Sequence, residues 1–254
     1  MMMDTIKNAS LSVIIITKNE AHDIRDCLTS VAWADEIIVL DSGSTDDTLN
    51  IAREFTSHVY TSPDWQGFGI QKNRALAYAT KDWVLSLDAD ERVDAALQSE
   101  IQQVLKSPKL DIYFMPRLSS FCGRFIHHSG WRPDYVARLF KRGSAEFSNH
   151  LVHESLIFST PAGYLTQSLV HLSYKNLDEV LDKMQRYAMS GAAELHAKNK
   201  RTSLLDAIGH GVWAFIRTYI IRLGFLDGAQ GFMLAVNNAE TTYYKYLQLY
   251  FLTK

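Results

Sequence analysis

The N-terminal part of the chain alternates short β-branched runs, polar turns and helix-like stretches. Ser12-Val-Ile-Ile-Ile16 runs into Thr17-Lys18-Asn19-Glu20, and Glu36-Ile-Ile-Val-Leu40 runs into Asp41-Ser42-Gly43-Ser44-Thr45-Asp46. Trp83-Val-Leu-Ser-Leu87 ends the same way, releasing Asp88-Ala89-Asp90. Such runs, bounded by turn residues, read as buried strands. His58-Val-Tyr-Thr61 is a further extended piece, and Ala21 to Val31, Asp46 to Phe55 and Gln71 to Ala79 have helical character. Ser44 is the expected N-cap of the second helix, with Asp47 adding negative charge to its first turn. Strand and helix in alternation predict an α/β fold, a parallel sheet with helices on both faces. In such sheets the ligand crevice lies beyond the carboxyl ends of the strands. Glu20, Asp41, Asp88 and Asp90 should therefore converge there. Two carboxylates one residue apart can hold a divalent cation, which can in turn hold a diphosphate.

The C-terminal third has a different pattern. Leu177, Val180, Leu181, Met184, Tyr187, Ala188 and Leu195 follow helical spacing and predict one amphipathic helix. Lys198-Asn-Lys-Arg201 then leads into the apolar stretch Leu204 to Leu226, interrupted by Asp206, His210, Arg217 and Arg222. Charges at bilayer depth are costly, which argues against a spanning helix. Asp206, His210 and Arg217 share one side, leaving Trp213, Phe215, Ile216, Tyr219 and Ile220 on much of the rest. That pattern suits a helix lying in a membrane interface beside a basic cluster, or a helical lid on the catalytic domain.

Composition narrows the class. A chain of 254 residues with 47% hydrophobic content can bury a full core, and a net charge of −2 gives no reason to expect nucleic acid. Cys27 and Cys122 are too few for a disulfide framework or a zinc cluster, so a reducing cytoplasm is expected. Met1 to Ser10 has no apolar core of signal-peptide length.

The series Val13-Ile-Ile-Ile-Thr-Lys-Asn-Glu20, Val39-Leu-Asp-Ser-Gly-Ser-Thr-Asp46 and Leu87-Asp-Ala-Asp-Glu91 resembles the family-2 glycosyltransferases of the GT-A fold. Gly130-Trp-Arg-Pro-Asp134, Arg138-Leu-Phe140 and Val152-His-Glu154 resemble the bacterial β-glucosyltransferases that add glucose to an inner-core heptose of lipopolysaccharide. The resemblance implies a Rossmann-like catalytic domain over 1–174, its nucleotide-sugar half about 10–105 and its acceptor half about 106–174, with a helical appendage over 175–254. It implies a UDP-sugar donor, UDP-glucose first, a lipid A-core acceptor, and a place on the inner face of the bacterial inner membrane. By the same resemblance Asp41 accepts from the uracil, with Ser42 beside it, and Thr17, Asn19 and Glu20 line the base and ribose pocket. Asp88 approaches the ribose or a metal-bound water, and Asp90 ligates Mg²⁺ or Mn²⁺. Lys72 and Arg74 either grip the diphosphate or form a solvated helix face.

An inverting transfer needs a base for the acceptor hydroxyl. Glu154 is the candidate, oriented by His153, and Asp134 is its rival. His171, at the end of Ser168-Leu-Val170, is either a further metal ligand or a hydrogen-bonded structural residue. Arg138, inside an apolar run, calls for an anionic partner, either a structural carboxylate or the diphosphate. Trp131, with Arg132, is a candidate sugar platform or plain packing. An aspartyl-nucleophile phosphatase would leave Asp41 and its Ser-Gly-Ser-Thr turn without a role. A sugar nucleotidyltransferase would need a Gly-rich loop after the first strand, which the sequence lacks. A non-enzymatic membrane adaptor would account for the C-terminus alone.

Overall fold

The computed structural model describes residues 9–149 and 155–254. They form two compact units, one of residues up to Arg117 together with Tyr135–His171, the other of Leu118–Asp134 and Leu172–Lys254. Leu118–Asp134, expected in the acceptor half of the catalytic domain, thus clusters with the C-terminal helices.

The first unit is a Rossmann-like sheet. Its parallel strands are β1 (Leu11–Thr17), β2 (Glu36–Asp41), β3 (Val59–Thr61) and β4 (Trp83–Asp88), with α1 (Ile24–Ser30), α2 (Thr48–Arg53) and α3 (Phe68–Leu76) as crossovers. After β5 (Glu91–Arg92) and α4 (Ala95–Lys106) come β6 (Ile112–Phe121) and β8 (Tyr135–Lys141), separated in sequence by β7 (Arg124–Phe125) of the second unit. The strand order is β3-β2-β1-β4-β8-β6, with β8 antiparallel to both neighbours. Short strands follow: β9 (Glu146–Phe147), β10 (Leu156–Ile157), β11 (Ala162–Tyr164) and β12 (Leu169–Tyr174). β12 pairs antiparallel with β5, setting His171 opposite Glu91.

Every residue of β1 and β2 is buried, as a strand covered on both faces requires. Strand alternation divides the core into two layers. Val13, Ile15, Ile37, Val39, Leu85 and Leu87 pack with α1 and α4 residues such as Leu28 and Ile101. Ile14, Ile16, Ile38, Leu40 and Val84 pack with Ala75 of α3 and with Phe140 and Phe147.

One acid anchors the end of the sheet where β2 begins. The buried Glu36 accepts from Ser12 Oγ, and from Thr80 N at 2.9 Å and Thr80 Oγ1 at 2.8 Å. Burial alone would raise its pKa, but these donors outweigh burial and hold it below the usual carboxylate value. Its contribution is therefore complete above the unfolded-state pKa of about 4.3 and is lost as pH falls through the lower folded-state value. Glu36→Gln is expected to cost about 1.5–3 kcal/mol near neutral pH and to flatten the acid limb of stability. Urea unfolding at neutral and acidic pH measures both.

The helical part of the second unit comprises α5 (Leu177–Ala197), α6 (Leu204–Ile216) and α7 (Gly228–Leu252). The apolar stretch from Leu204 to Leu226 is not one helix. It passes from α6 into a π-helical turn at Arg217–Ile221, bends at Leu223 (φ 55°), and continues as a 3₁₀ turn at Gly224–Asp227. Among the described residues no single helix is long and apolar enough to cross a membrane. In α5 the stripe is only partly covered: Val180, Ala188 and Ala192 are buried, whereas Leu177, Leu181 and Tyr187 are exposed.

The buried Asp227 ties the loop before Trp131 to these helices, accepting from His127 N and His128 N at 3.0 Å and from Ser129 Oγ at 2.9 Å. Close to it, a Cβ on Gly231 would lie 1.9 Å from the Gly224 carbonyl oxygen. The Gly224 backbone cannot readily yield and the Asp227 Cβ lies 2.8 Å away on the other side, so Gly231→Ala is expected to destabilise by about 2–3 kcal/mol, read as a fall in Tm.

Candidate active site

Parallel register brings the strand ends together. Thr17 lies opposite Asp41, and Ile16 lies opposite Asp88. The loops that follow β1 and β2 are laced to each other. Asp41 Oδ2 accepts from Gly43 N and Ser44 N, each at 2.8 Å, and Oδ1 accepts from Ser44 Oγ. A carboxylate has roughly four acceptor positions, so the loop leaves one on Oδ1. Asn19, at φ 55°, accepts from Thr45 N at 2.8 Å through Oδ1, while its own N–H donates to Ser44 Oγ at 2.8 Å. Glu20 N donates to Thr48 Oγ1 at 2.8 Å.

Ser44 is therefore no N-cap. It is drawn back onto Asp41, and Asp46 instead accepts from Thr48 N at 3.1 Å where α2 begins. Ser42 is buried, its N–H donating to Thr17 O at 2.8 Å and its Oγ accepting from Gln71 Nε2 at 3.0 Å. Thr17 Oγ1 is buried without a hydrogen-bond partner.

Beneath β4 lies a charge network. The buried Lys72 reaches Asp88 Oδ1 at 3.0 Å, and Arg138 bonds Asp88 Oδ2 and Glu91 Oε1, the latter at 2.7 Å. Glu91 also accepts from Asp88 N at 3.0 Å and has Arg117 at 3.7 Å. Burial would raise Asp88, but Arg138 and then Lys72 outweigh it and hold this carboxyl well below its usual range. Burial pushes Glu91 up.

Lys72 is thus no solvated helix residue, and the anionic partners of Arg138 are carboxylates of the protein. Arg74 is taken up by the loop before α3, donating to Ser62 Oγ at 3.0 Å, Asp64 O at 2.5 Å and Asp64 Oδ2 at 3.0 Å. Its side chain is therefore partly covered by the loop rather than freely solvated.

Asp90 stands apart from this network, its Oδ2 3.3 Å from His171 Nε2, with both side chains partly exposed. Among the described residues no three His, Cys, Asp or Glu side chains converge into a metal cluster. One carboxylate and one imidazole nonetheless fit an ion that takes most of its shell from phosphate and water. Asp88, expected beside that ion, has its oxygens engaged by Lys72 and Arg138.

Trp131, Arg132 and Asp134 belong to the second unit. There Trp131 packs edge-on against Phe121 at 6.0 Å and lies 5.9 Å from Tyr174. His153 and Glu154 lie outside the described residues. The chain approaching them is held firmly: Asn73 exchanges two 2.8 Å hydrogen bonds with the Phe147 backbone. Ser148 and Ser155 then close the end of the β9–β10 pair through Ser148 N to Ser155 O at 2.9 Å and Ser155 N to Ser148 Oγ at 3.0 Å. Gln71, Asn73, Glu91 and Arg117 were not among the expected site residues. The one signal for Glu91 is its place three residues after Asp88, where the chain can fold back on the strand end.

The sequence profile of Glycosyl transferase family 2 matches residues 12–167, more than half of the chain. The chain belongs to glycosyl transferase family 2. This family-2 enzyme is 30% identical over 239 residues to an uncharacterized glycosyltransferase of Rickettsia felis, covering 88% of this chain and 83% of that one. It is 27% identical over 252 residues to the lipopolysaccharide core biosynthesis glycosyltransferase LpsC of Rhizobium meliloti, covering 96% and 93% respectively. A crystal structure of S. aureus TarS in complex with UDP-GlcNAc aligns with the transferase at a TM-score of 0.51. That alignment covers 89% of this chain and 79% of the other at 16% identity, a likeness of fold. A transferase built this way has no need of the phosphatase or adaptor readings.

Proposed function

We propose that this glycosyltransferase transfers a hexose, glucose from UDP-glucose, with inversion to a heptose of the lipopolysaccharide core at the inner face of the inner membrane. The observation that carries the donor side is the strand-end crevice. There the unpartnered hydroxyl of Thr17 lies across from Asp41, and Asp90 remains partly exposed beside a network that neutralises Asp88. Similarity over nearly the whole length of LpsC, a lipopolysaccharide core biosynthesis glycosyltransferase, supports the core-sugar acceptor.

In this assignment Thr17, Asn19, Glu20, Asp41 and Ser42 hold the nucleoside, while Lys72 and Arg138 fix Asp88 at the edge of the ribose. Asp90 and His171 would hold Mg²⁺ or Mn²⁺, which when bound neutralises the leaving diphosphate. Glu154, with Asp134 as the alternative, takes the acceptor proton as the new glycosidic bond forms and UDP departs. His153 orients that base, and Trp131 and Arg132 receive the acceptor.

Calorimetry with UDP-glucose and UDP-galactose, with and without Mn²⁺, tests the donor. Metal-dependent binding of UDP-glucose in preference to UDP-galactose is expected. Preference for another UDP-sugar would replace the donor, and no binding of any nucleotide sugar would overturn the assignment.

A further inference from the structure

The side of α6 that packs is made of small residues. Ala207, Gly211 and Ala214, followed by Thr218, are buried. At Gly211 an added Cβ would come within 3.1 Å of Tyr243 Cβ and 3.3 Å of the Ala239 carbonyl oxygen of α7. The large apolar side chains point the other way. Leu205 is 80% exposed, and Ile208, Val212, Trp213 and Ile220 are about half exposed. At 100° per residue Leu205, Ile208, Val212 and Trp213 form one broad arc of α6, with Asp206 and His210 on a narrow polar flank, and Arg217 and Ile220 follow in the π-helical turn.

A helix on a protein in water buries its large apolar residues and exposes the rest. Small residues at the helix–helix contact and large ones outward is the distribution of helices packed in lipid. An open groove of about 570 Å³ between α6 and α7 adjoins this face, lined mainly by apolar residues such as Ile208, Val212, Phe215 and Val236, with the Glu240 carboxylate at its polar side.

Charge supplies the second observation. Before α6 come the exposed Lys200 and Arg201, next to Lys198, which pairs with Glu194; after it come the exposed Arg217 and Arg222. Cations at both ends of an apolar helix match a surface of anionic headgroups over hydrocarbon. Alone, α6 is too short to cross: its 13 residues extend about 20 Å, against a hydrocarbon core of about 30 Å, and the apolar stretch that continues from it is bent by 71° before α7.

We propose that the outward arc of α6 lies in the plane of an anionic bilayer, with its apolar side chains in the acyl region of one leaflet and its flanking cations at the phosphates. This deepens the membrane-surface location of the proposed function, and it stands whether or not the donor is UDP-glucose.

The test is flotation of the full chain with vesicles of phosphatidylethanolamine and phosphatidylglycerol at low and high salt. Fluorescence quenching of Trp213 by lipids brominated in the acyl chain accompanies it, with Trp213→Phe as the reference for the other tryptophans. The comparison variant carries Ile208→Ser, Val212→Ser and Ile216→Ser, all exposed positions; circular dichroism and nucleotide-sugar calorimetry check that fold and donor site persist. Flotation that partly survives high salt, quenching specific to Trp213, and partition at least about tenfold weaker in the variant are expected. Binding that salt removes entirely without Trp213 quenching, or equal binding by the variant, would overturn the insertion. So would a dimer that the same substitutions dissociate, which would assign the face to a second copy of this chain.

Discussion

Arg138→Ala is expected to cost about 3–5 kcal/mol of stability, because it strands two carboxylates beneath β4. Arg138 is buried and bonds both Asp88 and Glu91, and Glu91 is itself fully buried. Lys72 would remain on one oxygen of Asp88, but Glu91 would keep only the longer 3.7 Å approach of Arg117 among the ion pairs described. Arg138→Lys should recover part of the loss, since one ammonium lacks the planar fork that reaches two acids.

The effect has a pH signature. Asp88 is held below its unfolded-state pKa of about 3.9, so its contribution is complete above that value and disappears as pH falls. The gap between wild type and Arg138→Ala should therefore be widest near neutrality and narrow in acid. Glu91, pushed up by burial, has the opposite sign: its folded form binds a proton more readily, and stability falls as pH rises past the usual carboxylate value. Urea titrations across this range decide the matter. A neutral-pH difference below about 1 kcal/mol would mean the network is not holding the strand end.

Asp90→Ala should do the reverse, leaving the fold and removing the chemistry. Its carboxylate is partly exposed and paired with a partly exposed histidine, so a stability change within about 1 kcal/mol is expected. Turnover should fall by about 10³-fold, the scale on which a group stabilising leaving-group charge acts. Asp90→Asn, which keeps a neutral oxygen, should fall between. Initial rates over a Mn²⁺ series give kcat and the metal dependence together. A kcat within about tenfold of wild type would move the diphosphate role away from Asp90.

The strands were legible because residues such as Ile14, Ile15, Ile38 and Val39 are covered on both faces, leaving unbroken β-branched runs. Their ends were legible because a buried run that stops on Asp41 or Asp88 must hand its charge to loop donors or cations at the strand end, as the loop does for Asp41 and Lys72 and Arg138 do for Asp88. Lys72 was harder. Apolar periodicity marks which face of a helix is covered, and on Phe68–Leu76 the covered positions include Gln71 and Lys72. Their partners Ser42 and Asp88 are distant in sequence. Arg74, two positions on, faces a loop, and spacing alone does not separate the two. Ser44 was expected to cap α2, but the helix starts at Thr48 and the Ser44 hydroxyl is drawn onto Asp41, a loop contact that capping rules do not foresee. For α6 the sequence showed an apolar side and a polar side. It did not show that Ala207, Gly211 and Ala214 would form the seam and leave the larger residues outside.

The paired serines at the end of β9 and β10 act as a clasp. Ser148 and Ser155 lock each other, and Asn73 fastens the chain just upstream, so the two flanks of this segment are pinned to each other and one of them to α3.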